Sequence, residues 1–248
     1  MYTQPATTVT PALVIYLIDS SDSMNEPCGE TTKIALVNKA LRSVLKDMVR
    51  RSIRDGHPQS RYKIALFAYN SRVIDVLNGI CDLPDLINLG VPEIIASGRT
   101  DTAGAYLAAE KLLRENLHDF QRCPAPLVCH LTDGKLTTDD PRPIVGNIKE
   151  MKVDDGTVLV ENIYVGDRML RKTVQNWRQW GGVMREHDLT DDYARFLFHL
   201  SSPLPETYRE NINNFGYALQ PGAHLFFPGT HNDMMRLAFA ASAATQLK

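Results

Sequence analysis

Apolar and polar positions along this chain fall into blocks whose period changes. Ala12–Ile18 is continuously apolar and contains β-branched residues, the pattern of a strand buried on both faces. From Thr32 the period becomes helical, through Ile34, Val37, Leu41, Val44, Leu45, Met48 and Ile53. Thr31 or Thr32 is available as N-cap, and Arg50, Arg51 and Arg54 supply a cationic C-terminal end. "YKIALFAYNSRVIDVL" predicts two strands joined at Asn70 and Ser71, a hairpin-like sheet edge. Thr102–Leu117 is helical, with Ala103, Tyr106, Leu107, Glu110 and Leu113 in register, and "APLVCHL" is a second buried strand. A helix follows Asp139 and Pro141 as far as Met151. After it come a strand in "TVLVENIYVG", a helix in "RMLRKTVQNWRQW", a short strand in "GVMRE" and a helix in "DDYARFLFHL".

Strands alternating with helices predict an α/β fold: a Rossmann-like, doubly wound, mostly parallel sheet with one antiparallel edge strand and helices on both faces. Residues 1–11, rich in Thr and Pro, are expected to be a flexible lead-in, and 12–202 to be the domain. Residues 203–248 are expected to be a C-terminal extension. Its final helix, in "NDMMRLAFAASAATQLK", has Asn232 as cap and so little polar surface that it either packs on the domain or faces a partner.

Composition narrows the function. The 248 residues, 44% hydrophobic, suffice for one sizeable core. A net charge of −2 gives no basic footprint for nucleic acid. No apolar run is long enough for a membrane span, and the N-terminal residues lack the cationic region of a secretory signal, so a cytoplasmic location without membrane attachment is expected. Cys28, Cys81, Cys123 and Cys129 are sparse and form no Cys-x-x-Cys pair, which favours reduced thiols. A zinc site from Cys123, Cys129 and His130 is disfavoured, because neighbours in a strand point to opposite faces.

Three oxygen-rich loops belong at the carboxyl edge of the predicted sheet, where ligands of open α/β sheets bind. They are "DSSDSM" after the first strand, "SGRTDTAG" before a helix, and "HLTDGK" at the end of a buried strand. Each alone is ordinary turn chemistry. Together, as Asp19-x-Ser21-x-Ser23, Thr100 within Gly98-Arg99-Thr100, and Asp133 within Thr132-Asp133-Gly134, they resemble the metal-ion-dependent adhesion site (MIDAS) of von Willebrand factor type A domains. The resemblance extends from about Ala12 to Ser202. It implies that Ser21 and Ser23 bind a metal through their hydroxyls, Thr100 directly or through water, and Asp19 and Asp133 mainly through water and hydrogen bonds. Asp22 stands where many members have glycine.

Hydroxyls and carboxylates are hard ligands, suited to Mg²⁺, or alternatively Mn²⁺ or Ca²⁺. Mostly neutral direct ligands leave the ion's charge poorly offset, so it attracts an acidic group from outside. A partner presenting Asp, Glu or a phosphoryl group is therefore expected. His130, inside an apolar strand, and Lys135, in a loop, are the nearest candidates for acid–base work, and each has a simpler structural role. No nucleophile elbow, Walker loop or dinucleotide fingerprint is present. The expectation is a non-enzymatic, metal-dependent interaction module in a cytoplasmic signalling or defence complex. It resembles intracellular bacterial type A proteins of the tellurite-resistance-associated kind, which accompany protein kinases and PP2C-type phosphatases. An adaptor of an AAA+ ATPase and a Mg²⁺-dependent phosphoesterase are the alternatives.

Overall fold

The computed structural model describes residues 2–134, 139–166, 169–230, 232–242 and 244–245. The seven-residue apolar run opens β1, Ala12–Asp19, and every residue of that strand is buried. On one side β1 pairs in parallel with β2, Tyr62–Tyr69. Two short pieces, β3 (Val73–Asp75) and β4 (Cys81–Asp82), then run antiparallel along the outer edge of β2. The antiparallel edge is therefore made in two pieces rather than one. On its other side β1 pairs in parallel with β5, Leu127–Thr132, and β5 with β6, Leu159–Tyr164. β7, Phe226–Pro228, closes that edge in parallel with β6.

Alternation along β1 divides the core in two. Val14, Tyr16 and Ile18 join the apolar cluster that contains α1 (Lys33–Ser52), α2 (Leu83–Leu89), α6 (Glu206–Asn214) and α7 (Asn232–Ser242). Leu13, Ile15 and Leu17 face the cluster of α3 (Thr102–Asn116), α4 (Arg142–Glu150) and α5 (Asp192–Leu200). The fold is a mostly parallel sheet wrapped by helices on both faces, as the alternation predicted. Among the described residues no helix is long and apolar enough to cross a membrane.

Several expectations need correction. The lead-in is tethered: the Thr3 and Gln4 amides donate to Asp155 Oδ1 at 2.7 and 2.9 Å, and Ala6 is fully buried. The stretch after Ser202, expected as an extension, supplies the edge strand β7 of the central sheet. No α-helix forms over 169–180; a bridge from Leu170 to Leu189 and a 3₁₀ turn at Trp177–Gln179 stand there instead. "GVMRE" carries no strand: Gly182 adopts φ +89°, outside any extended conformation.

Candidate metal centre

Three loops are locked together at the carboxyl ends of β1 and β5. The Ser97 amide donates to the Ser20 carbonyl at 2.7 Å and the Asp22 amide to the Gly98 carbonyl at 2.8 Å, which ties the first loop to the second. Gly98 takes φ +78° there, and a side chain would start 3.1 Å from Ser71 Oγ, so glycine is required. Thr132 ties the third loop in: its hydroxyl donates to Asp19 Oδ2 at 2.6 Å and accepts from the Gly134 amide at 3.1 Å.

All five predicted oxygen donors meet at this rim. Asp19 is fully buried and its Oδ1 accepts from the Ser21 amide at 2.9 Å. Ser23 Oγ donates to Asp133 Oδ1 at 2.7 Å, leaving Ser21 Oγ as donor to Ser23 across 3.1 Å. Thr100 is 5% exposed. A methyl group placed on Gly134 would lie 3.3 Å from Thr100 Oγ1, 3.6 Å from Asp19 Oδ2 and 3.7 Å from Ser23 Oγ. Three of the oxygens therefore border one small space that glycine leaves open. Burial pushes the Asp19 carboxyl above its ordinary value; hydrogen bonds from Thr132 and Ser21 oppose the shift and the charge of Asp133 adds to it. A divalent cation among these oxygens would relieve that strain. Among the described residues no three His, Cys, Asp or Glu side chains converge, as befits a donor set that is mostly hydroxyl. The residues present fit a hard cation.

Lys33 was not anticipated. Its ammonium donates to Asp133 Oδ2 at 2.6 Å and to Glu26 Oε2 at 2.5 Å, and the Asp133 side chain is wholly buried. Burial would lower the Lys33 ammonium, but the bonds to Asp133 and Glu26 outweigh that and raise it. The sequence did carry a hint. A lysine at the first position of a helix has the wrong sign for the helix dipole, so it implies a nearby acid.

His130 is a satisfied core residue. Its Nε2 lies 2.6 Å from the Tyr69 hydroxyl and its Nδ1 2.8 Å from Asn162 Oδ1, which also accepts from Tyr106 at 2.8 Å. Burial lowers its pKa to about 4, so the ring is neutral and unavailable as a surface base. Lys135 lies outside the described residues. Cys123, Cys129 and His130 make no metal cluster; Cys129 and His130 face opposite sides of the sheet, in the two separate core regions.

Comparison with known proteins agrees with the fold. No curated protein sequence matches the chain. The PilB minor pilin from Streptococcus sanguinis superposes with a TM-score of 0.55 at 10% identity, over 96% of this chain and 63% of that one. A von Willebrand factor type A structure from Catenulispora acidiphila gives 0.44 at 14% identity, over 63% of this chain and 34% of its own length. The SpRpn10 VWA domain gives 0.43 at 13% identity, over 63% and 76%. This chain thus spans only part of the first two. Residues 14–135 match the family model of the von Willebrand factor type A domain. That stretch, just under half of the chain, holds Asp19, Ser21, Ser23, Thr100 and Asp133, and is similar to the von Willebrand factor type A domain.

Proposed function

We propose that this domain is a divalent-metal-dependent protein-interaction module, with Mg²⁺, or else Mn²⁺ or Ca²⁺, held at the rim by Ser21, Ser23 and Thr100 and supported by Asp19 and Asp133. The observation that carries this reading is the convergence of Thr100, Asp19 and Ser23 on the space beside Gly134, bounded by loops far apart in the chain. When bound, the cation supplies a Lewis-acidic point at which an outside carboxylate or phosphoryl oxygen can replace water. The chain's own part is to fix its hydroxyls through a closed hydrogen-bond network and to keep the acids buried. Type A domains are commonly interaction modules. The partner presents Asp, Glu or a phosphoryl group. A kinase, a PP2C-type phosphatase or an AAA+ ATPase in a cytoplasmic signalling or defence complex fits that chemistry.

Calorimetric titration with Mg²⁺ tests the site. Ser21→Ala, Ser23→Ala and Asp133→Ala should each leave a folded protein with weaker Mg²⁺ binding, and the triple variant should give no binding heat. Unchanged titration of the triple variant refutes the assignment. Pull-down from native extract should then recover a partner with Mg²⁺ present and lose it in EDTA.

A further inference from the structure

At the far end of α1 from the metal rim lies a cavity of about 340 Å³, within the size range of small-ligand pockets. Lys33 and Arg50 are separated by 17 residues of one helix, about 25 Å at 1.5 Å per residue. Four arginines line the cavity, Arg50, Arg51, Arg178 and Arg236, against one acid, Asp47. Asp47 is paired with Arg50 at 3.1 Å, and the lining keeps an excess of three positive charges. This in a chain of net charge −2 is a local concentration of cations. Arg50 and Arg51 are the cationic helix end seen in the sequence; the fold brings Arg178 and Arg236 to them from two other segments.

Aromatic rings are interleaved with these guanidiniums. Arg178 lies 4.4 Å over Tyr217 and Arg51 5.5 Å over Phe215. A guanidinium stacked on a ring points its N–H edges sideways, the geometry in which a guanidinium grips phosphate. Arg178 is also anchored by donating to the Phe215 carbonyl at 2.7 Å. Phe215 itself is 51% exposed, a large ring left half in water, while Val44 and Phe239 form a buried apolar floor.

We propose that this pocket binds a nucleoside phosphate, its planar base against Phe215 and its phosphate oxygens on the edges of Arg178, Arg236 and Arg50. A bare inorganic anion would leave the aromatic surface unused. The site shares no residue with the metal rim and is independent of it.

The test is calorimetric titration of the full chain in EDTA with ADP, pyrophosphate and adenosine as probes. ADP should bind more tightly than pyrophosphate or adenosine, and added salt should weaken it. Arg178→Ala and Arg236→Ala should each cost about tenfold or more in ADP affinity, the loss of one charge-assisted hydrogen bond. Phe215→Ala should weaken ADP and leave pyrophosphate unchanged. Because Arg178 anchors a loop, Arg236→Glu on the exposed side of α7, with its melting curve checked, serves as the second variant. Ser21→Ala should leave ADP binding unchanged, which separates this site from the metal reading. Absence of ADP binding, indifference to Arg236→Glu, or pyrophosphate binding as tightly as ADP overturns the proposal.

Discussion

At the scale of single residues, Lys33 and Gly134 do more to define the rim than the motif alone conveys. Lys33 neutralises a buried carboxylate, Asp133, at 2.6 Å. Removing one member of a buried ion pair leaves the other uncompensated, yet the same lysine places a positive charge beside the space offered to a cation. Lys33→Met should therefore act with opposite signs: the metal-free protein loses about 3 kcal/mol of stability, while Mg²⁺ affinity rises several-fold. Urea unfolding in EDTA and calorimetric titration read the two effects separately, and weaker Mg²⁺ binding in this variant would show that Lys33 supports the site instead of competing with it. Gly134→Ala probes the space directly. Its methyl would sit 3.3 Å from Thr100 Oγ1, so Mg²⁺ binding should fall about tenfold or more with less than ~1 kcal/mol lost from the fold. That Asp19, Ser21, Ser23, Thr100 and Asp133 gather at one rim was legible because each stands at a strand or turn exit with its own sequence signal. Lys33 was not, since its partner lies 100 residues away and only the helix-dipole mismatch pointed to it.

Among the elements, those with a long period were legible and those fixed by distant packing were not. α1 and α3 follow 3.6-residue patterns over 20 and 15 residues, and Thr32 caps α1 by accepting from the Ala35 amide at 3.3 Å. The segment 169–180 misled because Met169, Leu170, Val174 and Trp177 imitate a helical stripe, while Thr173, Val174 and Asn176 are poor helix formers. Its tryptophans instead stack edge-on, Trp177 on Trp180 at 5.7 Å and Trp180 on Phe227 at 6.2 Å, and cap the sheet edge. β7 escaped notice because three residues ending in proline carry no readable period, and its place depends on β6. α7 covers the neighbouring face: Met234, Met235, Leu237 and Phe239 are at most 1% exposed, and Phe239 meets Tyr16 at a centroid distance of 5.8 Å. At about 1.5–3 kcal/mol per large apolar side chain, removing them approaches the whole stability of a domain. Deletion from residue 232 onward should give an insoluble or non-cooperatively melting protein by circular dichroism. A soluble truncation with an unchanged midpoint would mean that this helix is dispensable to the core and available to a partner.

Over the whole molecule, the two faces of the sheet bury titratable groups of opposite character, and each makes stability vary with pH. On the α3 and α5 face, His130 sits in the Tyr69–Asn162–Tyr106 network with its pKa lowered by burial from 6.5 to about 4. The folded state thus excludes a proton that the unfolded chain accepts, and stability is lost as pH falls from 6.5 towards 4. On the α1 and α7 face, Glu161 is fully buried beside Cys129, its cross-strand neighbour. Burial raises its pKa from 4.5 to about 8, so the fold holds it protonated, and stability is lost as pH rises from 4.5 to 8. Between 4.5 and 6.5 the two contributions oppose each other; above 6.5 that of His130 is complete and that of Glu161 continues. At 1.36 kcal/mol per pH unit, that term removes about 2 kcal/mol between pH 6.5 and 8. Glu161→Gln abolishes the titration without changing the shape of the side chain, so the variant's stability relative to the natural chain should improve by about 2 kcal/mol over the same interval. Urea unfolding at the two pH values measures this difference directly. Parallel pH profiles for the two proteins would mean that Glu161 does not hold a proton in the folded state over this interval.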